Sequence, residues 1–191
     1  MTTPGDVLDF WFLPPDAAEY GRRRVEWFMP APEFDAAIER DLAAAYEAAR
    51  RGDFDTWRTA PESCLALILL LDQIPRNLFR ASARAYESDA QALELARYAL
   101  DNKFDAGLLN PQRWFLWLPF EHAEDLACQE TCLRLAETLR DDPESADFIS
   151  FAQAHYDVIE RFGRFPHRNA VLGRETTFEE AEFLKEPDSS F

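Results

Sequence analysis

The sequence of 191 residues predicts an all-α protein, built of antiparallel helix hairpins joined by short turns. Apolar residues recur with the spacing of a helical face along most of the chain, and no segment alternates apolar and polar residues as a strand does. Only six glycines are present, which is few for a β-sandwich with many tight turns. No linker rich in proline, glycine or serine interrupts the chain, so we expect residues 1–191 to form one domain.

The first two long helices are read from their apolar faces. Residues from Phe34 to Ala49 follow one helical face, and Gly52 provides a stop signal after them. Pro61 begins a second helix through Leu71 that is apolar on all sides, so it is predicted to be the central buried helix. Pro75 is expected to kink or end that helix, because proline has no N–H to donate to the preceding turn.

The remaining helices are placed by caps and prolines. Ser82 is a candidate cap for a third helix. Its expected inner face is Tyr86, Ala90, Leu93, Ala96 and Leu100. A short aromatic helix begins at Asn110-Pro111 and should end at Pro119, and its run Trp114 to Trp117 indicates packing.

Three further helices complete the prediction. Two long ones are expected near Glu121–Leu139 and Pro143–Phe162, the second closed by Gly163. Thr176 or Thr177, each followed three residues later by a glutamate, predicts a capping-box start for a last short helix, FEEAEFL.

Composition and charge exclude several classes of partner. The formal net charge of −16 would repel nucleic acid and anionic membranes, so we expect neither as a partner. The longest apolar run, Cys64 to Leu71, is far shorter than the ~20 residues of a membrane span. Three cysteines without a disulfide-like spacing, and an N-terminus without a secretion signal, predict a cytoplasmic protein with reduced thiols.

Polar residues interrupt three of the predicted core faces. Asp72 and Arg76 lie four residues apart at the end of the Pro61 helix, next to Gln73 and Asn77. His122, Asp125 and Gln129 precede apolar residues on one face of the Glu121 helix, and His155 lies in the middle of the face formed by Phe148, Phe151, Val158 and Phe162. Since burying an unpaired polar group costs a few kcal/mol, we expect these residues to meet one another or to line a cavity.

The segment from His155 to Arg174 is the most unusual part of the chain. Its portion from Arg161 to Arg174 carries four arginines and no acid, although the protein is strongly acidic. Structural interpretations compete with functional ones here. His155 could be a hydrogen-bonded core histidine, Asp72 and Arg76 could be a buried ion pair, and the arginines could pair with acids on neighbouring helices.

Motifs for known cofactors and nucleophiles are absent from the sequence. It has no glycine-rich phosphate loop, GxSxG elbow or HExxH motif, so no cofactor is predicted. A metal site from Glu121, His122, Asp125 and His155 is a weaker alternative without a known ligand spacing. Cys128 and Cys132 are interpreted as small core residues, because a zinc site would need two further ligands.

Three segments resemble a bacterial family called domain of unknown function 924: LDQIPRNLFR at 71–80, LPFEHAEDLACQE at 118–130 and RFGRFPHRNAVLGRETTFEEAEFL at 161–184. The N-terminal VLDFWF and the C-terminal PDSSF fit the same family. Ile74 stands where phenylalanine would be expected, which is a conservative change. The resemblance implies a tetratricopeptide-like α-α superhelix and no established activity, although the 34-residue repeat signature itself is not visible.

Three functions are compatible with this polar set. The first is a module that binds a small anionic molecule or a peptide carboxylate, because arginine side chains match carboxylates and phosphates. The second is a hydrolase or lyase in which His155 or His122 is the general base, Asp125 or Glu121 orients it, and arginines stabilise negative charge. The third is a structural polar core. The predicted ligand-binding residues are Asp72, Gln73, Arg76, Asn77, Gln129, Arg161, Arg164, His167, Arg168 and Asn169. The sequence does not decide the oligomeric state.

Overall fold

The computed structural model describes residues 2–187 and 189–190. This part of the chain contains α-helices and short 3-10 turns and no β-strand, so the all-α prediction is confirmed. The helices are α1 (Pro4–Phe12), α2 (Pro32–Arg50), α3 (Pro61–Leu78), α4 (Asp89–Asp101), α5 (Asn110–Glu121), α6 (Leu126–Glu137), α7 (Ala146–Phe162) and α8 (Phe178–Phe183). The 3-10 turns are Val25–Trp27, Asp55–Thr59, Ala83–Tyr86, Phe104–Gly107, Pro143–Ser145 and Pro166–Arg168.

Helix α3 is the central helix of the fold, as its uniformly apolar sequence predicts. Every residue from 64 to 75 is buried, and α3 packs against α1, α2, α4 and α5. The second half of the chain joins this body through α5, which contacts α6 and α7, while α6 and α7 pack on each other. Burial on all sides means that the polar groups of α3 must find partners inside the protein.

Of the two effects expected of Pro75, a kink or an end, the end of α3 does not occur, because the helix continues to Leu78 with Pro75 inside it. A proline at position 75 leaves the carbonyl of Leu71 without its usual helical donor. The hydroxyl of Ser88 donates a hydrogen bond of 2.6 Å to that carbonyl oxygen instead. A side chain from the start of the next helix therefore satisfies the group that the proline leaves unpaired, and the helix can continue.

Helix α4 begins later than predicted. Ser82 caps the 3-10 turn Ala83–Tyr86, and α4 itself starts at Asp89 after Ser88. Its fully buried residues are Ala92, Ala96 and Ala99, whereas Ala90 is exposed and Leu93 and Leu100 are only partly buried. The buried face of α4 therefore differs from the predicted one. Ser88 and Asp89, at the start of the helix, make contacts with α3.

The predicted boundary between the two helices after Asn110 also moves. Pro119 does not end α5, which continues to Glu121, and the expected helix from Glu121 to Leu139 starts only at Leu126. Asp125 caps α6 by accepting a hydrogen bond of 2.9 Å from the backbone N–H of Cys128. His122 thus lies in a turn between two helices, and the expected shared face of His122, Asp125 and Gln129 does not exist.

The last two helices largely match their prediction. Helix α7 ends at Phe162, and Gly163 follows in the left-handed conformation with φ of 68°. Phe151 is the exception on its predicted inner face, since it is 42% exposed. Thr177, not Thr176, caps α8 in a capping box with Glu180.

Other expectations about packing are confirmed. Trp114 and Trp117 are buried, and so are Cys128 and Cys132. None of the helices in the described part of the chain combines the length and apolar character needed to cross a membrane. The tetratricopeptide-like superhelix stays a prediction of the family resemblance.

Substitution of Gly163 tests how α7 ends. A Cβ at this position would meet no atom within 4 Å, so Gly163→Ala should lower the free energy of unfolding only through its left-handed φ, by about 1 kcal/mol. Gly107→Ala is the matched control, because Gly107 also has open space around it and no positive φ. Urea unfolding of both variants measures the difference. Equal stability of the two variants would contradict this account.

Candidate functional site

The best-defined polar contact joins α3 to the turn after α5. Nδ1 of His122 lies 2.8 Å from Oδ1 of Asp72, and Nε2 of Gln73 donates a bond of 2.6 Å to Oδ2 of the same carboxylate. Asp72 is completely buried, while the His122 side chain is 13% exposed. The pair therefore extends from the core to the surface.

Arg76 and Asp89 complete this group, which we call the Asp72 network (Asp72, Gln73, Arg76, Asp89 and His122). The guanidinium of Arg76 donates bonds of 2.8 and 2.9 Å to the two carboxylate oxygens of Asp89, and a third of 2.5 Å to the backbone oxygen of Asp72. Arg76 Nη1 also lies 3.5 Å from Asp72 Oδ1. The network links α3, the start of α4 and the turn after α5.

The network fixes the charges of its members. Burial alone would raise the pKa of Asp72, but that pKa lies below its usual range. The causes are the charge that His122 carries at low pH, the charge of Arg76, and side-chain hydrogen bonds from His122 and Gln73. Burial and the positive charge of Arg76 lower the pKa of His122, and Asp72 only partly opposes them. At neutral pH, the network consequently contains an ionised Asp72 and an uncharged His122.

An ionised carboxylate only accepts hydrogen bonds, so the hydrogen of His122 must be on Nδ1. The other ring nitrogen, Nε2, then carries a lone pair. This nitrogen has no hydrogen-bond partner among the described residues, and it is not one of their fully buried, unpaired polar atoms. His122 therefore presents an oriented hydrogen-bond acceptor at the edge of the network.

Arg168 lies beside this histidine. Its Nη1 donates a bond of 3.0 Å to the backbone oxygen of His122 and lies 3.7 Å from Asp89. The guanidinium is held between the rings of Tyr86 and Phe165, at 4.7 and 4.3 Å from their centroids. Arg168 is buried, and its Nε has no hydrogen-bond partner in the part of the chain described here. Burial and the neighbouring charge of Arg76 lower the pKa of Arg168 to about 10.

A second buried pair lies deeper, behind His122. Nδ1 of His155 is 2.8 Å from the backbone oxygen of Phe151 and 3.5 Å from Oε1 of Glu121. Burial raises the pKa of Glu121 to about 8, with the charge of Asp72 as the second cause, and burial lowers the pKa of His155 to about 3. Both side chains are consequently mainly uncharged at neutral pH, and the contact is a neutral polar one.

The structure brings together part of the sequence-predicted set. His122 and His155 lie with ring centroids 6.3 Å apart, and His155 and His167 each pack near Phe165, at 5.4 and 5.7 Å. The residues that converge on this region are Asp72, Gln73, Arg76, Glu121, His122, His155, His167 and Arg168.

Two predicted arginines belong instead to the attachment of α8. Arg164 donates bonds of 2.6 and 2.8 Å to the two carboxylate oxygens of Glu180, and Arg161 donates one of 3.0 Å to Glu179. Arg161 and Arg164, which the sequence predicts as ligand-binding residues, are therefore paired within the fold. Arg76 belongs to the Asp72 network and Arg168 contacts it, whereas Arg161 and Arg164 bind α8.

The predicted asparagines and Gln129 also serve contacts within the fold. Asn77 donates a bond of 2.8 Å to Asp35, and Asn169 contacts Glu180 at 3.3 Å. Gln129 donates bonds of 2.6 and 2.8 Å to the backbone oxygens of Glu121 and Ala123, which closes the turn that carries His122.

The alternatives that relied on Asp125 are not supported. Asp125 is exposed and caps α6, and the carboxylate that orients His122 is Asp72. Within the described ranges, no group of three or more histidine, cysteine, aspartate or glutamate residues could hold a metal ion, which argues against the weaker metal-site interpretation.

Sequence reasoning missed Asp89, Tyr86 and the pair of Glu124 with Arg174. Glu124 accepts bonds of 2.5 and 2.9 Å from Arg174 and one of 2.8 Å from the backbone N–H of Phe165. Asp89 carried a signal, because it follows Ser88 at a helix start; its partner on α3 could not be read from spacing.

A sequence profile of a family described as bacterial protein of unknown function (DUF924) matches residues 7–188. The chain belongs to this family. The resemblance stated from its motifs is thereby confirmed. A solved structure of a protein of unknown function from Agrobacterium tumefaciens is 39% identical to this DUF924 chain, with a TM-score of 0.81. The match covers 95% of this chain and 96% of that one. A search of curated proteins gives no significant match.

Glu121→Gln tests the buried neutral pair. Glu121 has a pKa of about 8 in the folded protein and an ordinary value of 4.5. The free energy of unfolding therefore falls as the pH rises between these two values, by at most about 1.4 kcal/mol per pH unit. Glutamine has no such dependence. The stability of the variant relative to wild type should therefore increase from pH 5 to pH 8, as measured by urea unfolding at each pH. A constant difference would show that Glu121 is not held neutral.

Glu180→Gln is the matched control of opposite sign. The hydrogen bonds from Arg164 are the main reason that the pKa of Glu180 falls to about 2. The stability that this carboxylate contributes is present above pH 4.5 and is lost as pH falls toward 2. The variant should be less stable than wild type at pH 7, and the difference should shrink on acidification.

Proposed function

We propose that this DUF924 protein binds a small anionic molecule or a peptide carboxylate at the outer edge of the Asp72 network, where Arg168 and His122 lie side by side. The observation that carries the proposal is the incomplete pairing of Arg168. This guanidinium is buried, yet its only hydrogen bond with described residues goes to one backbone oxygen. A buried cation is costly unless it is paired, so an anion that supplies the missing acceptors would be bound favourably.

The inner part of the cluster supports this function by holding the outer part rigid. Asp72, Gln73, Arg76 and Asp89 satisfy one another at 2.6 to 2.9 Å, which leaves little freedom for His122. The structural interpretation of the sequence thus applies to these inner residues. A preorganised site binds more tightly, because less side-chain entropy is lost when the ligand arrives.

Acid–base catalysis is a second candidate, favoured by the 2.8 Å contact between Asp72 and His122. A buried carboxylate that holds Nδ1 leaves Nε2 as a proton acceptor, which is the arrangement of a general base. His122 would be that base in a hydrolase or lyase acting on an anionic substrate, and Arg168 would stabilise developing negative charge. His155 is less suited to the role, because it is buried.

Location and other partners complete the proposal. We propose a cytoplasmic protein, supported by three cysteines that are free and buried. The net charge of −16 supports the exclusion of nucleic acid as a partner. Local positive charge at Arg168 would then select ligands at the site, since the whole protein repels anions.

Arg168→Gln tests the proposed function. Formate, acetate, glycolate, phosphate and a dipeptide are compared in a thermal-shift screen. At least one of them should raise the melting temperature of the wild type. The substitution should abolish that rise, because it removes the positive charge and the planar guanidinium, and leaves only a neutral amide. Arg161→Gln is the matched control, since Arg161 is an exposed arginine paired with Glu179.

The control variant should keep the full ligand response. An equal loss of response in both variants would indicate binding through general charge and contradict the proposal. If Arg168→Gln does not fold, Arg168→Lys keeps the charge without the planar guanidinium and should bind at least about tenfold more weakly.

A further inference from the structure

The geometry of the same site restricts the chemistry of its ligand beyond the presence of a negative charge. Arg168 is the cation beside the Asp72 network whose N–H donors are not all used by described residues. Arg76 already bonds both oxygens of Asp89 and the backbone oxygen of Asp72, whereas Arg168 bonds only the backbone oxygen of His122 among the described residues. The anionic group of a ligand should therefore contact Arg168.

The charge balance around Arg168 disfavours a second negative charge on the ligand. The positive charges of Arg76 and Arg168 are matched by the carboxylates of Asp72 and Asp89, of which Asp89 lies 3.7 Å from Arg168. Glu124 is a further carboxylate nearby, and it is paired with Arg174. A dianion would face these carboxylates with only one incompletely paired guanidinium, so a carboxylate fits this surrounding better than a phosphate dianion.

His122 adds a second requirement. Its Nδ1 is occupied by Asp72, so Nε2 can only accept a hydrogen bond while the ring is neutral. A plain carboxylate offers no hydrogen to this nitrogen, whereas a hydroxyl group does. An ammonium group would also offer hydrogens, but it would bring a positive charge close to Arg168 and Arg76.

The two ligand groups must also be close to each other. The guanidinium of Arg168 touches the backbone of residue 122 itself, at 3.0 Å, and the rings of Tyr86 and Phe165 hold it there. Because Arg168 and His122 are in direct contact, one small molecule should carry both the carboxylate and the hydroxyl.

We propose that the ligand is a small hydroxycarboxylate, with its carboxylate on Arg168 and its hydroxyl donating to Nε2 of His122; this rests on the anion-binding function proposed above. Glycolate is the smallest probe of this class. Acetate lacks the hydroxyl, glycine replaces it with an ammonium group, and phosphate carries more charge.

Calorimetric titration of the full-length protein at pH 7.5 tests the inference. The wild type should bind glycolate about tenfold more tightly than acetate, and more tightly than glycine or phosphate. His122→Asn can still donate to Asp72 from its amide nitrogen but has no group at the position of Nε2. It should bind glycolate and acetate equally, while Arg168→Gln should bind neither.

The outcomes separate the two proposals. Equal affinity for glycolate and acetate in the wild type, or tighter binding of phosphate, would overturn the hydroxycarboxylate inference and leave the anion site intact. Absence of binding by all four probes would overturn the hydroxycarboxylate inference, and unchanged binding in Arg168→Gln would overturn both proposals. If His122→Asn fails to fold, the ¹⁵N resonance of His122 Nε2 in the wild type decides, since glycolate should shift it and acetate should not.

Discussion

The carboxylate of Asp72 lies fully buried in the central helix α3 and must be neutralised inside the protein, because an isolated ion there would cost several kcal/mol. Its partners come from two places in the chain: Gln73 and Arg76 on α3, and His122 in the turn after α5. Arg76 in turn binds Asp89 at the start of α4. One buried charge therefore fixes the relative positions of three helices, and it also holds the ring of His122.

Neutral hydrogen bonds around this charge attach the same elements to one another. Pro75 leaves the carbonyl of Leu71 without its helical donor, and Ser88 supplies the missing hydrogen bond one residue before Asp89. The start of α4 is thus attached to α3 by a neutral bond and by an ion pair. On the other side, Gln129 closes the turn that carries His122. The candidate site is an outer edge of a structural network, so rigidity and the proposed ligand binding depend on the same contacts.

The helices were predictable where local sequence decides them, as in the apolar α3, the glycine stop after Phe162 and the capping box at Thr177. Long-range contacts decided the rest. The rule that proline ends a helix failed at Pro75 because Ser88, distant in sequence, satisfies the freed carbonyl. The meeting of Asp72, His122 and His155 was foreseen from polar residues on apolar faces. Asp89 and the division of the arginines between Asp89 and Glu180 were not, because spacing along one helix does not identify partners on another.

The central claim is that a buried, ionised Asp72 holds His122 in one neutral tautomer. The protein has three histidines, so their ring nitrogens can be resolved in a long-range ¹H–¹⁵N spectrum of the uniformly labelled protein at pH 7. Asp72→Asn identifies the resonances that depend on this carboxylate. The account predicts that His122 is uncharged, with its hydrogen on Nδ1 and a bare Nε2. A protonated imidazolium, or a hydrogen on Nε2, would contradict it.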